Sequence, residues 1–169
     1  MAIEGIVEEL ATVYREHFDR GAGDLRIKRV TENVPEAVTE WPWLYFVIEE
    51  GDVDILNFAA DTEATPKRRN PLPGDAVGIV RRNAVEVVHR FKAQLCVRPR
   101  RDLVEDESAV RPFIQPLVTL ALENLKLGGL VLYCKPTGYR YGMLALGQVE
   151  GRAVEFVGLE MFFSAKEVV

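Results

Sequence analysis

Apolar residues recur at three- and four-residue steps through residues 2–18. Ile3, Ile6, Val7, Leu10, Val13, Tyr14 and His17/Phe18 share one stripe, while Glu4, Glu8, Glu9, Arg15 and Glu16 fall outside it. The pattern predicts an amphipathic first helix, with its acids near the start as the helix dipole favours. Gly21 and Gly23 end it, because each glycine inside a helix costs about 1 kcal/mol. A short strand is expected at 27–30. Pro35 and Pro42 then forbid regular structure up to the Trp41-Pro-Trp43 turn. The aromatic and β-branched run at 44–48 predicts a strand stopped by Glu49-Glu-Gly-Asp52.

Residues 85–98 alternate. Val85, Val87, His89, Phe91, Ala93, Leu95 and Val97 fall on one side of a strand, and Glu86, Val88, Arg90, Lys92, Gln94, Cys96 and Arg98 on the other. The first side reads as core. The second carries the cations Arg90, Lys92 and Arg98, so it is expected to meet solvent, a channel or an acidic neighbour. A charged connector follows, in which Asp106, Glu107 and Ser108 are candidate caps for a helix at 110–126. Pro112 suits a first turn, and Pro116 delays or kinks the start. Phe113, Leu117, Leu120, Ala121 and Leu125 form its apolar stripe, closed by Gly128 and Gly129. Three strands are expected after it, at 130–136, 140–149 and 153–166, with turns at Thr137-Gly138 and Glu150-Gly151.

The last of these strands is apolar on both sides. Val157, Leu159, Met161 and Phe163 point one way, and Val154, Phe156 and Phe162 the other. A strand wetted on one side alternates apolar and polar residues, so both sides here need cover. The expectation is that a neighbouring copy supplies part of it, with Phe156 and Phe162 at the seam. The order of elements implies a single α+β domain over 1–169: a mostly antiparallel sheet of four to five strands, with two helices packed on one face.

Residues 57–83 form a long excursion between strands, holding Pro66, Pro71, Pro73 and Gly74. Connections longer than about 12–15 residues in a compact domain are usually functional or disordered. Its cations Lys67, Arg68, Arg69, Arg81 and Arg82 lack interleaved aromatics, so base stacking is not expected of them. Solvated charge, non-specific phosphate contact and pairing with acids of a neighbouring subunit all remain open readings.

Composition narrows the field. The chain has 169 residues, 48% of them apolar, enough for one domain with a real core. Its net charge of −5 gives no support to general nucleic-acid binding. The start of the chain lacks the pattern of a signal peptide, and no apolar run approaches the ~20 residues of a membrane helix, so a cytoplasmic place of assembly and no membrane partner are expected. Cys96 and Cys134 read as two buried thiols rather than a disulfide. Two histidines, His17 and His89, are too few for a Cys/His metal site, and each reads as structural. No nucleophile elbow, zinc-protease or phosphate-loop motif occurs, and Glu105-Asp-Glu107 is explained by helix capping. No catalytic residue, cofactor or metal is therefore expected. An α+β small-molecule-binding domain or enzyme is the competing class, with Trp41, Trp43, Tyr45 and Phe58 as candidate pocket walls.

The opening helix, the strand His89-Arg-Phe-Lys-Ala-Gln-Leu-Cys-Val97, the helix end Leu120-Ala-Leu-Glu-Asn-Leu-Lys-Leu-Gly-Gly129 and the last strand Val157-Gly-Leu-Glu-Met-Phe-Phe-Ser-Ala-Lys-Glu167 carry a resemblance. Together, over nearly the whole chain, they resemble the tail terminator (tail-completion) proteins of long-tailed bacteriophages, of the lambda-like siphophage type. The excursion and the Trp41-Pro-Trp43 turn have no counterpart in that pattern. The resemblance implies a structural virion protein of the tail or neck, assembled in the host cytoplasm. It implies a homo-oligomer, a hexameric ring, that caps the tail tube, ends its growth and joins the head connector. Its partners would be the tail-tube protein, the head–tail connector protein and, non-specifically, DNA passing through the lumen. A connector stopper or a tail-tube subunit is the nearest alternative job.

Overall fold

The computed structural model describes residues 3–19, 25–56, 84–149 and 151–168. The elements are α1 (Ile3–Asp19), β1 (Arg29–Thr31), β2 (Trp43–Leu56), β3 (Ala84–Pro99), α2 (Leu103–Glu123), a 3₁₀ turn (Leu127–Gly129), β4 (Tyr133–Val149) and β5 (Arg152–Val168). The strands make one five-stranded sheet in the order β1-β2-β3-β5-β4. Only β1 and β2 run parallel; the other neighbouring pairs are antiparallel. Both helices lie on one face, so the chain is an α+β sandwich of the expected kind.

That face holds the main core. Ile6, Leu10 and Tyr14 of α1 and Val110, Phe113 and Leu117 of α2 pack on Phe46, Phe91, Leu95, Leu159, Met161 and Phe163. A run of rings crosses the sheet beneath them. Tyr14 lies 6.4 Å from Phe46, Phe46 6.3 Å from Phe91, and Phe91 stacks on Phe163 at 5.2 Å. The Tyr14 hydroxyl donates to the Leu117 carbonyl at 2.9 Å, which ties α1 to α2 and satisfies a buried polar group.

Several boundaries differ from the sequence reading, each for a local reason. β2 does not stop at Glu49-Glu-Gly-Asp52: a bulge between Ile48 and Gly51 absorbs the polar residues, and pairing with β3 resumes as far as Leu56↔Ala84. Gly51 fits there because a Cβ would come within 3.0 Å of the Val88 carbonyl oxygen. β4 is one strand where two were expected. Thr137-Gly138 makes a bulge opposite Phe162 and Phe163, and β4 lies at the sheet edge, where Pro136 is tolerated.

α2 begins seven residues earlier than expected. Its cap is Asp102, whose carboxylate accepts from the Glu105 amide at 2.9 Å, and not the run at Asp106–Ser108. Pro112 and Pro116 consequently sit inside the helix, where each removes one backbone donor. The carbonyls left without that partner belong to Ser108 and Pro112, both exposed residues, so water can serve them.

Candidate functional site

The second face of β5 is covered at Phe156 by its own chain, while Val154 and Phe162 stay partly exposed. Phe156 is fully buried in a cluster with Val38, Trp43, Tyr45 and Cys96, with Trp41 and Val47 packed on its rim. Trp41 meets Phe156 edge-on at 5.6 Å. The Trp43 ring is held in turn by the Thr31 hydroxyl at 3.0 Å from its Nε1 and by the Arg29 guanidinium 4.5 Å above it. The expectation that a neighbouring copy must shelter Phe156 is thereby corrected. The irregular turn at 33–42 folds across the sheet, and its Val38 and Trp41 do that work with Trp43 and Tyr45 of β2. Trp41, Trp43 and Tyr45 pack as an apolar cluster here rather than framing a pocket; Phe58 lies outside the described residues.

Next along this face, polar groups replace apolar ones. The Glu160 carboxylate is nearly solvent-free and accepts from Gln94 Nε2 and Arg140 Nε, with Lys92 Nζ at 3.3 Å. Burial alone would raise its pKa. The Arg140 and Gln94 hydrogen bonds and the Lys92 charge outweigh that effect and hold it below the usual carboxylate range. Phe162 is half-buried beside them, its ring 5.7 Å from the Arg140 guanidinium carbon.

The three β3 cations do not form one open basic face. Arg90 is paired with Asp52 at 2.6 Å in an exposed contact, and Lys92 is divided between Glu160 and Glu49. Arg98 lies on the other side of the sheet altogether. A bulge between Cys96 and Arg98 sets Arg98 opposite Val157, a core residue of the helix-covered face, and its guanidinium reaches the buried Asp106 at 3.2 Å. One extra residue re-aims a side chain in this way. Asp106 also accepts from the Arg101 amide at 3.1 Å, so it pins the connector instead of capping the helix. The acidic neighbour expected for this strand is thus largely the chain itself. Lys67, Arg68, Arg69, Arg81 and Arg82 lie outside the described residues.

The thiols and histidines have structural settings. Cys96 and Cys134 are both free and buried; burial pushes their pKa values up to about 11 and about 12. His89 Nε2 lies 2.9 Å from Glu167, and the His17 ring meets Phe18 edge-on at 5.1 Å. Among the described residues no group of three or more His, Cys, Asp or Glu could hold a metal ion, and no helix is long and apolar enough to cross a membrane.

One surface went unmarked in the sequence. Tyr139, Tyr141 and Met143 sit on the helix-covered face of β4, opposite Met161, Leu159 and Val157, yet each remains about half exposed. α2 packs beside the edge strand yet leaves these three side chains partly open. Between them lies an open cleft of about 410 Å³ lined by Glu107, Arg111, Ile114, Gln115, Tyr139 and Tyr141. The signal available in sequence was the Tyr-x-Tyr-x-Met alternation in a segment already expected to be a strand. Beyond β4 the sheet has no further strand among the described residues. At the opposite edge, β1 covers only Trp43–Tyr45 of β2.

The chain matches no protein-family model and no curated protein sequence.

Proposed function

We propose that this chain is a structural virion protein that assembles as a ring on the end of a phage tail tube, ends tube growth and joins the tail to the head connector. The job comes from the sequence resemblance, as does a ring of six. The structural observation that supports it is the β4 margin, where the edge strand, with no further strand beyond it among the described residues, lies beside the half-exposed Tyr139, Tyr141 and Met143. The opposite margin, made by the three-residue β1 and the length of β2 beyond it, is a different surface. Contact between two unlike surfaces is heterologous, and it gives a closed ring when the rotation closes and a filament when it does not. A ring also removes the exposed edges that invite uncontrolled pairing.

The test is electron microscopy of the purified chain, alone and with polymerising tail-tube protein. A terminator forms single rings and shortens the tubes it caps. Long tubes formed by this chain alone would assign it instead to the tube, and tubes of unchanged length in its presence would remove the capping role.

A further inference from the structure

The geometry points to a specific contact between copies: the α1–β2 margin of one chain, centred on Ile48, seats in the apolar seam between α2 and β4 of the next. The contact rests on the ring reading and adds to it the two surfaces that meet.

Both surfaces expose apolar groups. Most of the large apolar side chains left exposed among the described residues fall between 122 and 143, and Leu122, Leu125, Leu132, Tyr139 and Tyr141 are among them. The Cys134 amide donates to the Leu125 carbonyl and draws the end of α2 against the start of β4, so the leucines continue the seam that holds the two tyrosines. Apolar exposure concentrated in this way marks an interaction surface. At the opposite margin Ile48 is nearly half exposed, in an open cleft of about 320 Å³ that it shares with Glu4, Val7 and Glu8 of α1.

Register and charge together argue for a second copy. Ile48 pairs with Phe91, Phe91 with Phe163 and Phe163 with Pro136, so Ile48 and Pro136 end one row of the sheet at opposite margins. Tyr139, opposite Met161, stands roughly 7 Å from that row in one direction along the strand, and Leu132 lies in the other. Rotation about an axis along the strands brings opposite margins together at equal height, which sets Ile48 between the neighbour's Tyr139 and Leu132. The charges match as well. Glu4 and Glu8 are exposed one helical turn apart beside Ile48, and Lys126 and Lys135 are exposed beside the seam; none of the four has an ion pair among the described residues. Contact between like margins would oppose charges of one sign, whereas contact between unlike margins sets acids against cations. Pro136 has no amide donor at the shared row, so side chains rather than a continued backbone ladder make the contact.

The experiment mixes two variants of the 169-residue chain, Ile48→Cys and Tyr139→Cys, in dilute solution, concentrates them and adds a short bismaleimide; the native Cys96 and Cys134 are buried. The expected result is a cross-linked dimer from the mixture and none from either variant alone. Glu8→Cys and Lys126→Cys take their place should either fail to fold by circular dichroism. In the otherwise native chain, Glu4→Lys with Glu8→Lys should raise the concentration of half-assembly at least about tenfold, and adding Lys126→Glu with Lys135→Glu should restore it. A mixture that mass photometry shows to be assembled, yet does not cross-link, overturns this contact and leaves the ring reading standing. Cross-linking of either variant by itself, or charge reversals without effect on assembly, overturns the contact too. A chain that stays monomeric at every concentration overturns the ring reading and the contact with it.

Discussion

Replacing Phe156 by alanine asks whether the second face of the sheet is sheltered from within. The side chain is fully buried against Trp41, Trp43, Tyr45 and Cys96. Truncating a buried phenylalanine costs about 3–5 kcal/mol, made up of lost apolar transfer and the cavity left behind. Of that, the edge-on contact with Trp41 at 5.6 Å accounts for about 0.5–1.5 kcal/mol. For a domain of this length each kcal/mol moves Tm by about 2–4 °C, so a fall of roughly 6–20 °C is expected. Urea unfolding of wild type and Phe156→Ala, followed by tryptophan fluorescence, measures the loss directly. The cover comes from residues 33–43 of the same chain, so the full loss must persist in dilute samples where copies are apart. A loss that disappears on dilution, or one below about 1 kcal/mol, would show that a neighbour shelters Phe156 and that the reasoning is wrong.

Three further outcomes follow from single groups. A Cβ at Gly158 would lie 1.8 Å from the Leu95 carbonyl oxygen, so Gly158→Ala should break β3–β5 pairing and abolish soluble, folded yield; a well-folded variant by circular dichroism would contradict the register. Glu160 has a folded pKa below its unfolded one, so its contribution is present above about pH 4.3 and is lost as pH falls through the lower folded value. Urea midpoints from about pH 6 down to about pH 2 should therefore fall more steeply for wild type than for Glu160→Gln, and parallel curves would refute the assignment. Cys96 and Cys134, buried with raised pKa values, should resist a thiol reagent at neutral pH in the native chain and react when it is unfolded; rapid native labelling would contradict their burial.

Periodicity made much of this fold legible before any coordinates. α1 and the helix-facing sides of β3 and β5 follow from apolar spacing alone, because each covers a single contiguous core. Local exceptions were harder to read. Pro112 looked like a helix start because proline favours the first turn, yet the Asp102-x-x-Glu105 cap lay earlier in the chain and took precedence. Thr137-Gly138 looked like a turn because those residues favour turns, whereas an edge strand accommodates them in a bulge. Arg98 was placed with Arg90 and Lys92 by counting alternate residues, and one inserted residue reversed its side.

The candidate surfaces failed for a longer-range reason. That β5 is apolar on both sides was visible, but not that Trp41 and Val38, more than a hundred residues upstream, would cover Phe156. Likewise the alternation of Tyr139, Tyr141 and Met143 was in plain view. Their exposure depends on how closely α2 packs beside β4, which no local pattern encodes.

Mass photometry of the untagged 169-residue chain, over a range of concentrations, tests ring assembly most directly. The account predicts one discrete species of about six chain masses that gives way to monomer on dilution, with no continuous ladder between or beyond. A chain that remains a single-copy particle at the highest concentration, and stays so when mixed with tail tubes, would contradict it.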